Sequence, residues 1–429
     1  MRILLTGASG FIGRHLLHAL LAEGHHVVCA VRKVKTSTDP RLTFIHADFA
    51  KDTDKSAWLA RLSGIEAVIN AVGIFRESGA QTFERLHTET PRALFAACAE
   101  SQDVHMVIQL SALGADRDAD TGYHLSKKAA DDYLASLPLR ACIVQPSLVY
   151  GKDGTSARVF KALASMPFTL RFGSAPQLVQ PIHVDDVVAA IVGLLKHRLP
   201  LPPGGATVQR VALVGPQALS FTDYLAALRA AMRMGKLRVL RLPGGLARLL
   251  ARLGRQVPGA VLDEDALRML DRGNTADPSV TARLVGRPPR PVAEFITDPD
   301  AERTQAKLDW LLPILRLSIA AVWIITAIVS FGLYPPAASY ELLARTGIPQ
   351  ALRPLMLYGA AAFDLLLGIG ILFLARRRWL WLAQLGLIGF YTVVIAWRLP
   401  EFLLHPYGPL TKNLPMLAAI WLLYELEDK

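Results

Sequence analysis

The chain has 429 residues, a length that exceeds a typical single domain and predicts two or three folded units. Apolar residues make up 52% of the composition and charged residues 19%, which excludes an ordinary soluble enzyme for the chain as a whole. The net charge is +11, and the long apolar runs of residues 311–429 favour an anionic membrane surface as the partner of this charge. No nucleic-acid-binding motif accompanies the charge, so nucleic acid is not expected as a partner.

The three cysteines, Cys29, Cys98 and Cys142, have neither paired nor metal-ligand spacing. They predict reduced, mostly buried cytosolic thiols and no metal site. Residues 1–5 are too short for a signal peptide and are followed too soon by glycines, so we expect them to form the first strand.

The first thirteen residues place an apolar run, residues 3–5, directly before a glycine-rich turn and a helix over 11–23. A strand, a glycine turn and a helix N-terminus in this order form a dinucleotide site, because free backbone N–H groups at the helix start bind the diphosphate. The alternative is a glycine turn that serves packing only. The predicted cofactor contacts of this turn are Thr6, Gly7, Ser9, Gly10, Phe11, Ile12 and Gly13.

Strands and helices alternate through the first half of the chain. This pattern predicts an α/β fold with a doubly wound parallel sheet, in which residues at the carboxyl ends of strands line the cofactor crevice. Further strands are predicted over residues 27–31, 43–46, 67–70, 106–110 and 141–146, and further helices over 90–101 and 123–136.

The end of the second strand carries Arg32 and Lys33 and no carboxylate. An acidic residue there would bind the ribose 2′-hydroxyl of NAD, whereas Arg32 can bind a 2′-phosphate, so NADP(H) is favoured over NAD(H). Solvated loop cations are the alternative. Asp48, after the third strand, is expected to contact the adenine edge or to cap a helix.

The fourth strand ends in Asn70-Ala71-Val72-Gly73, of which Asn70, Ala71 and Gly73 are further predicted cofactor contacts, as is Pro146 after the sixth strand. Ser111 lies just past the fifth strand, and Tyr123 and Lys127 share one face of the following helix. This arrangement predicts Tyr123 as general acid–base, Lys127 as its activator and ribose ligand, and Ser111 as the donor to the substrate oxygen.

Together these motifs resemble the short-chain dehydrogenase/reductase superfamily, in its extended or atypical branch, over about residues 1–300. Residues 145–151 and 181–186 resemble the segments that border the nicotinamide and the substrate lobe in that branch. Within 181–186, His183 and Asp185 are expected to fix a strand-to-helix turn, with Asp185 or Asp186 as helix cap.

The short separation of Ser111 and Tyr123 resembles the atypical group that includes the nucleotide-binding accessory subunit of respiratory complex I. Some members of that group bind NADPH tightly without known turnover. The resemblance therefore implies a Rossmann fold and a bound nicotinamide nucleotide, and it leaves both a catalytic and a non-catalytic role open.

Residues of about 190–300 are expected to form a substrate lobe. A helix is predicted over 221–234 with Ser220 as its N-cap. A second, basic helix over 246–253 either rests on anionic lipid or packs on the lobe with its arginines in water.

The C-terminal part has apolar runs at 311–333, 355–374 and 379–397, each long enough to cross a bilayer. A fourth run, 414–424, spans only if it recruits 409–413. Residues 311–429 resemble the DoxX-like four-helix membrane family, as does the Pro/Gly break at 406–415, and this resemblance implies a redox setting.

Arginines 376–378 lie between the second and third runs, which predicts a cytoplasmic loop by the positive-inside rule. The nucleotide-binding domain is also expected in the cytoplasm, where it meets NADPH, so both arguments give the same orientation in an inner (cytoplasmic), multi-pass membrane protein. Arg316 and Asp364 lie inside apolar runs and either pair with each other or, for Arg316, reach the headgroups.

The sequence thus predicts a short-chain dehydrogenase-like domain over 1–300, a linker over 301–310 and a DoxX-like membrane domain over 311–429. The leading hypothesis is a membrane-anchored NADP(H)-dependent oxidoreductase that acts on a lipophilic carbonyl or alcohol, such as a quinone or an isoprenoid precursor. The alternatives are a non-catalytic NADPH-binding assembly or redox-sensing protein with membrane protein partners, and an epimerase or dehydratase of nucleotide-linked sugars.

Overall fold

The computed structural model describes residues 1–172, 177–196, 207–242 and 264–427. It divides into two compact units, Met1–Ala306 and Lys307–Lys429. The predicted basic helix over 246–253 lies outside the described residues.

The first unit contains a seven-stranded parallel sheet in the order β11-β6-β5-β4-β1-β2-β3, which confirms the predicted fold class. The predicted strand and helix bounds in this sheet agree with the structure to within one residue at each end. The sheet strands are β1 Arg2–Thr6, β2 His26–Val31, β3 Leu42–His46, β4 Ala67–Asn70, β5 Met106–Leu110, β6 Ala141–Pro146 and β11 Val208–Leu213.

Helices cover both faces of this sheet because alternate strand residues point to opposite sides. Ile3 and Leu5 belong to one hydrophobic core, whereas Leu4 belongs to the other. The helices of this unit are α1 Phe11–Ala22, α2 Lys55–Leu59, α3 Thr90–Glu100, α4 Gly122–Ala135, α5 Thr155–Ser165, α6 Val184–Lys196, α7 Phe221–Ala231, α8 Glu264–Arg272 and α9 Ser279–Val285.

A third core lies outside the main sheet, among α5, α7 and the residues around Phe295. Ser220 caps α7, as predicted, because its side chain accepts the backbone N–H of Asp223. Short strand pairs complete this part of the unit: β7 Val149–Tyr150 with β10 Ile182–His183, β8 Thr169–Phe172 with β13 Val239–Leu242, and β9 Leu178–Val179 with β12 Leu219–Ser220.

His183 and Asp185 fix the turn into α6, as predicted, but neither Asp185 nor Asp186 is a helix cap. Helix α6 begins at Val184, and the ring of His183 accepts the backbone N–H of Asp185 at 3.2 Å. Asp186 is fully buried and accepts the side chain of Arg287 at 2.5 Å and the backbone N–H of Arg290 at 2.8 Å. The two carboxylates therefore hold the 287–290 segment against the first turn of α6.

The second unit is helical. Within the described residues, three helices are long and apolar enough to cross a membrane: Pro299–Leu333, Gln350–Phe373 and Arg378–Arg398. The α-helices of this part of the chain are α10 Pro299–Ile328, α11 Pro336–Arg345, α12 Arg353–Phe373, α13 Arg378–Arg398 and α14 Asn413–Leu426.

The segment predicted as a linker, residues 301–310, lies inside α10, and the boundary between the two units falls within that helix. Residues 300–312 contain neither proline nor glycine, so nothing in their covalent structure interrupts the helix. Helix α14 has 14 residues and recruits only Asn413 of the preceding break. Its length of about 21 Å is below the roughly 30 Å of a hydrocarbon core.

The considered pairing of Arg316 with Asp364 does not form. Arg316 instead bonds Glu427 at 3.2 Å, and Glu427 also accepts the ring N–H of Trp381 at 2.8 Å. Sequence reasoning missed this partner because Glu427 lies beyond the last apolar run, where a carboxylate is unremarkable.

Candidate active site

The glycine turn after β1 has the geometry of a phosphate cradle. Gly7 has a φ of +71°, and a Cβ there would lie 2.6 Å from the backbone of Ala71, so only glycine fits. A Cβ at Gly13 would lie 2.0 Å from the carbonyl oxygen of Gly7, so this glycine allows α1 to start directly against the turn. Ser9 and Gly10 are exposed, which leaves the outer side of the turn open.

The start of α1 offers free donors at this turn. Gly10 is the N-cap and no side chain caps the helix, so the N–H groups of Phe11, Ile12 and Gly13 have no acceptor within the helix. The positive end of the helix dipole lies at the same place. The open turn, the uncapped helix and the absence of a Cβ at Gly10 fit a dinucleotide diphosphate.

Thr6 and Asn70, both predicted to contact the cofactor, form a buried polar row with Gln109 across β1, β4 and β5. The Thr6 hydroxyl donates to Asn70 Oδ1 at 2.6 Å, and Asn70 Nδ2 donates to Gln109 Oε1 at 2.7 Å. All three side chains are at most 1% exposed. They fix the ends of three strands relative to one another and lie beneath the crevice that these ends border.

Lys127 lies where β4 and β5 end. Its ammonium donates to the carbonyl oxygens of Val72 at 3.2 Å and of Leu110 at 3.1 Å. A Cβ at Gly73 would lie 3.1 Å from Lys127 Nζ, so this glycine leaves room for the ammonium. Ala71 donates its backbone N–H to Thr6 at 3.2 Å, which ties the same segment to the end of β1.

Three more predicted cofactor contacts lie at or just after the ends of β2, β3 and β6. Arg32 is exposed at the end of β2, and within the described residues it contacts no carboxylate. Asp48 caps no α-helix: it accepts the backbone N–H of Ala50 at 3.1 Å, and Asp54 is the cap of α2. Pro146 is buried at the end of β6.

Tyr123 is surrounded by aromatic rings that the sequence did not indicate. Phe75, Phe83, His87 and His124 lie with ring centroids 5.3 to 6.1 Å from that of Tyr123. Phe75 is 56% exposed, so the aromatic collar opens to solvent on that side. Burial raises the pKa of Tyr123 to about 12, with a smaller contribution from the charge of Asp131, so the phenol is protonated at neutral pH.

His87, one of the rings beside Tyr123, is held in place as a neutral imidazole by two hydrogen bonds. Its Nε2 accepts the backbone N–H of Ile74 at 3.0 Å, so Nδ1 carries the proton and donates to Ser126 Oγ at 2.9 Å. Burial lowers the pKa of His87 to about 2, and the charge of Lys127 acts in the same direction. The residue lies in a π-helical turn, Glu84–Glu89, a distortion often found at functional sites.

Ser111 does not face Tyr123 as a free hydroxyl. Its Oγ donates a short hydrogen bond to Asp131 Oδ2, and Asp131 is fully buried on α4, one turn after Lys127. Among the described residues the Tyr123 hydroxyl bonds neither Ser111 nor Lys127. The structure thus places Tyr123 and Lys127 on one helix face, and it connects Ser111 to that face through Asp131.

Asp131 was missed at the sequence level although a signal was present. Tyr123, Lys127 and Asp131 are spaced four residues apart, so the three side chains lie on one stripe of α4. His87 and Phe75 gave no such signal, since neither belongs to a regular helical or strand pattern.

Two family models match the chain in separate regions. The NAD dependent epimerase/dehydratase family matches residues 3–206, and the DoxX-like family matches residues 320–421. The first match contains the glycine turn and the Tyr123 and Lys127 pair, and the second contains most of the helical unit.

Curated relatives include enzymes named as reductases. A ceramide reductase of Caulobacter vibrioides is 28% identical over 198 residues, which cover 45% of this chain and 61% of that protein. A 3-diazoavenalumate denitrifying reductase of a Streptomyces species is 28% identical over 229 residues, which cover 46% of this chain and 72% of that protein. These names support an NAD(P)-dependent enzyme.

Solved structures share the fold of the first unit. The UDP-glucuronic acid 4-epimerase of Bacillus cereus, in complex with UDP-glucuronic acid and NAD, has a TM-score of 0.51 at 19% identity and covers 72% of this chain and 100% of its own. A nucleoside-diphosphate-sugar epimerase of Staphylococcus aureus has a TM-score of 0.55 at 16% identity, with coverage of 70% and 100%. The chain therefore combines a Rossmann domain that matches the NAD dependent epimerase/dehydratase family over residues 3–206 with a C-terminal domain that matches the DoxX-like family over residues 320–421.

Proposed function

We propose that this protein is a membrane-anchored, NADP(H)-dependent reductase of a lipophilic carbonyl compound. The observation that carries the proposal is the position of Tyr123, which lies in an aromatic collar on the same helix face as Lys127. A phenol kept in its acid form suits the delivery of a proton to a carbonyl oxygen.

In this mechanism a bound nicotinamide supplies the hydride, and the residues of the chain supply the rest. Tyr123 donates its proton to the substrate oxygen as negative charge develops there. Lys127 keeps two donors on the Val72 and Leu110 carbonyls, which leaves its third N–H for the ribose. Ser111 donates to the same substrate oxygen in the state in which Asp131 does not accept its hydroxyl proton.

The aromatic collar supports an apolar substrate. Phe75 presents an exposed ring beside Tyr123, and Phe83 stacks on His87 at 5.3 Å behind it. His87 is neutral, so no charge of its own repels an apolar group. A lipid is also the substrate named for the ceramide reductase relative.

NADP(H) is the proposed cofactor because Arg32 is available at the end of β2. Arg32 and its neighbour Lys33 are both exposed, and within the described part of the chain neither contacts a carboxylate. A guanidinium there suits a 2′-phosphate through charge-assisted hydrogen bonds.

The three apolar helices support insertion of the C-terminal unit into the cytoplasmic membrane, with the nucleotide-binding unit and Arg376–Arg378 in the cytoplasm. A lipophilic substrate dissolved in that membrane then needs no soluble carrier. Membrane protein partners remain part of the proposal.

The test uses NADPH that carries deuterium at the transferable position. Purified full-length protein in mild detergent is incubated with a total membrane lipid extract, and mass spectrometry detects the lipid that gains deuterium. We expect transfer by the wild type, and a loss of at least about 100-fold in Tyr123→Phe, because that variant lacks the proton donor. NADPH affinity should stay within about twofold, and transfer at wild-type rate by Tyr123→Phe would refute the role.

A second candidate is a non-catalytic NADPH-binding protein. It is favoured by one observation, the bond from Ser111 to Asp131, which withdraws the predicted substrate donor. In that case the wild type retains NADPH but transfers no deuterium to any lipid, and it co-purifies with membrane partners.

A further inference from the structure

We infer that Asp131 is a positioning residue whose own proton decides whether the Ser111 hydroxyl donates a hydrogen bond to a substrate oxygen or accepts one from it. The inference deepens the proposed reductase function and rests on it. It concerns a residue outside the Ser111, Tyr123 and Lys127 set.

The contact between Ser111 Oγ and Asp131 Oδ2 fits two states. In the first, an ionised Asp131 accepts the hydroxyl proton of Ser111, because a carboxylate has no proton to donate. Ser111 then presents only lone pairs to any further partner. A carbonyl oxygen or a developing oxyanion also presents lone pairs, so in this state Ser111 cannot stabilise it.

The other state follows from moving one proton. A protonated Asp131 can donate its O–H to Ser111 Oγ, and the Ser111 proton is then free to point at the substrate oxygen. Carbonyl reduction needs this state. Oxidation of an alcohol, whose hydroxyl donates, is compatible with the ionised state instead.

The surroundings of Asp131 leave both states accessible. Lys127 and Tyr123 lie on the same stripe of α4, and Asp132 follows Asp131 directly. From β11, Arg210 Nη1 lies 3.9 Å from Asp131 Oδ2 while its Nη2 bonds Asp132 at 2.7 Å. Cations thus favour the carboxylate, whereas full burial and an Oδ1 without a hydrogen-bond partner among the described residues favour the acid.

Burial prevails in this balance. It raises the pKa of Asp131 above the usual range of a carboxyl group, against the lowering by the Ser111 hydrogen bond and by the charges of Lys127 and Arg210. The carboxyl group therefore titrates closer to neutral pH than an exposed aspartate does.

The first experiment measures the proton directly and needs no substrate. Infrared titration of the full-length protein in detergent follows the carbonyl stretching band of protonated Asp131. The band is assigned to Asp131 because it is missing in Asp131→Asn. We expect a midpoint above the range of exposed aspartates. In Ser111→Ala the midpoint should rise by about 1 pH unit, because the lost hydrogen bond stabilised the carboxylate.

A matched control is Ser147→Ala, which removes another buried hydroxyl whose partner is the carbonyl of Gln180. It should leave the Asp131 midpoint unchanged. A midpoint that does not move in Ser111→Ala, or an Asp131 that is ionised at every pH at which the protein is folded, would overturn the inference.

The second experiment connects the proton to the reaction. The rate of deuterium transfer from NADPH to lipid should fall in the wild type as pH rises through the infrared midpoint. Asp131→Asn donates to Ser111 at every pH through its amide and should keep its rate at high pH. An identical pH profile for the wild type and Asp131→Asn would contradict the inference.

The two arms separate this inference from the proposed function. If the wild type transfers no deuterium at any pH, the reductase assignment fails. The infrared midpoints still show in that case whether Ser111 and Asp131 share the proton as described.

Discussion

His87 shows how one buried ring can couple the active-site wall to pH. Its Nε2 must remain an acceptor for the Ile74 N–H, and protonation would turn both ring nitrogens into donors. Because the ring is 1% exposed and lies beside the Lys127 ammonium, the folded state holds it neutral and its pKa at about 2. In the unfolded chain the same ring titrates near about 6.5.

This difference predicts a loss of stability on acidification. Below about pH 6.5, His87 binds a proton in the unfolded state but not in the folded state. The free energy of unfolding therefore falls by about 1.4 kcal/mol per pH unit because of this residue. His87→Gln keeps an acceptor for Ile74 and does not titrate, so its thermal midpoint in detergent should fall less steeply than that of the wild type between about pH 6.5 and about pH 5. Parallel curves would contradict the assignment.

The individual strands and helices of the first unit were predictable because each carries its own periodicity. The run Met106–Leu110 and the cap Ser220 act through local chain geometry, so they are readable without tertiary contacts. The glycine turn was predictable for the same reason, since Gly7 adopts a positive φ within the turn and Gly13 lies against the carbonyl of Gly7, although the close approach of Gly7 to Ala71 is a distant contact.

Contacts between distant segments were not predictable in this way. Asp186 resembled a helix cap from its place after a strand, but its true partners lie about a hundred residues further along. Asp364 was a plausible partner of Arg316 because both charges lie inside apolar runs, but in the structure Arg316 pairs with Glu427. Ser111 was assigned to a substrate because its nearest acceptor, Asp131, becomes a neighbour only when α4 packs on the sheet.

One such distant contact should dominate the stability of its region. Lys161 on α5 donates to Glu302 at 2.5 Å, both side chains are at most 6% exposed, and Tyr150 donates to the same carboxylate at 3.1 Å. Removal of the Lys161 charge leaves the Glu302 carboxylate buried without a countercharge, so Lys161→Met should destabilise the protein by about 3 to 5 kcal/mol.

The double variant Lys161→Met/Glu302→Leu is the control, because it removes both charges and keeps the volume. It should recover most of the loss in thermal midpoint. If Lys161→Met alone unfolds at the wild-type temperature, the Lys161–Glu302 ion pair does not contribute the expected stability.

At the scale of the whole molecule, one chain joins two units with different surfaces. The first unit buries its central strands on both faces of the sheet, as α/β proteins do, whereas the described part of the second carries three long apolar helices with many exposed leucine, phenylalanine and tryptophan side chains. Such a surface is stable in hydrocarbon and unfavourable in water. The positive-inside rule then predicts which loops share a compartment with the nucleotide-binding unit.

This orientation is testable by cysteine labelling in intact cells, since the three native cysteines are buried. Exposed sites are Lys51 in the first unit, Glu341 between the first two apolar helices, and Arg376 before the third. A membrane-impermeant maleimide should label Glu341→Cys at once, and Lys51→Cys and Arg376→Cys only after the membrane is permeabilised. Labelling of Arg376→Cys in intact cells would reverse the proposed orientation.

The most direct test of the account is equilibrium binding of NADPH to the folded, full-length protein in detergent. We expect saturable binding of one NADPH per chain, tighter than that of NADH, and its loss in Ser9→Glu, which places a carboxylate at the exposed side of the phosphate turn. His18→Glu, an exposed site on α1 away from the turn, should bind like the wild type. Absence of saturable binding by the wild type, or equal binding by Ser9→Glu, would contradict the nucleotide site on which the proposed function depends.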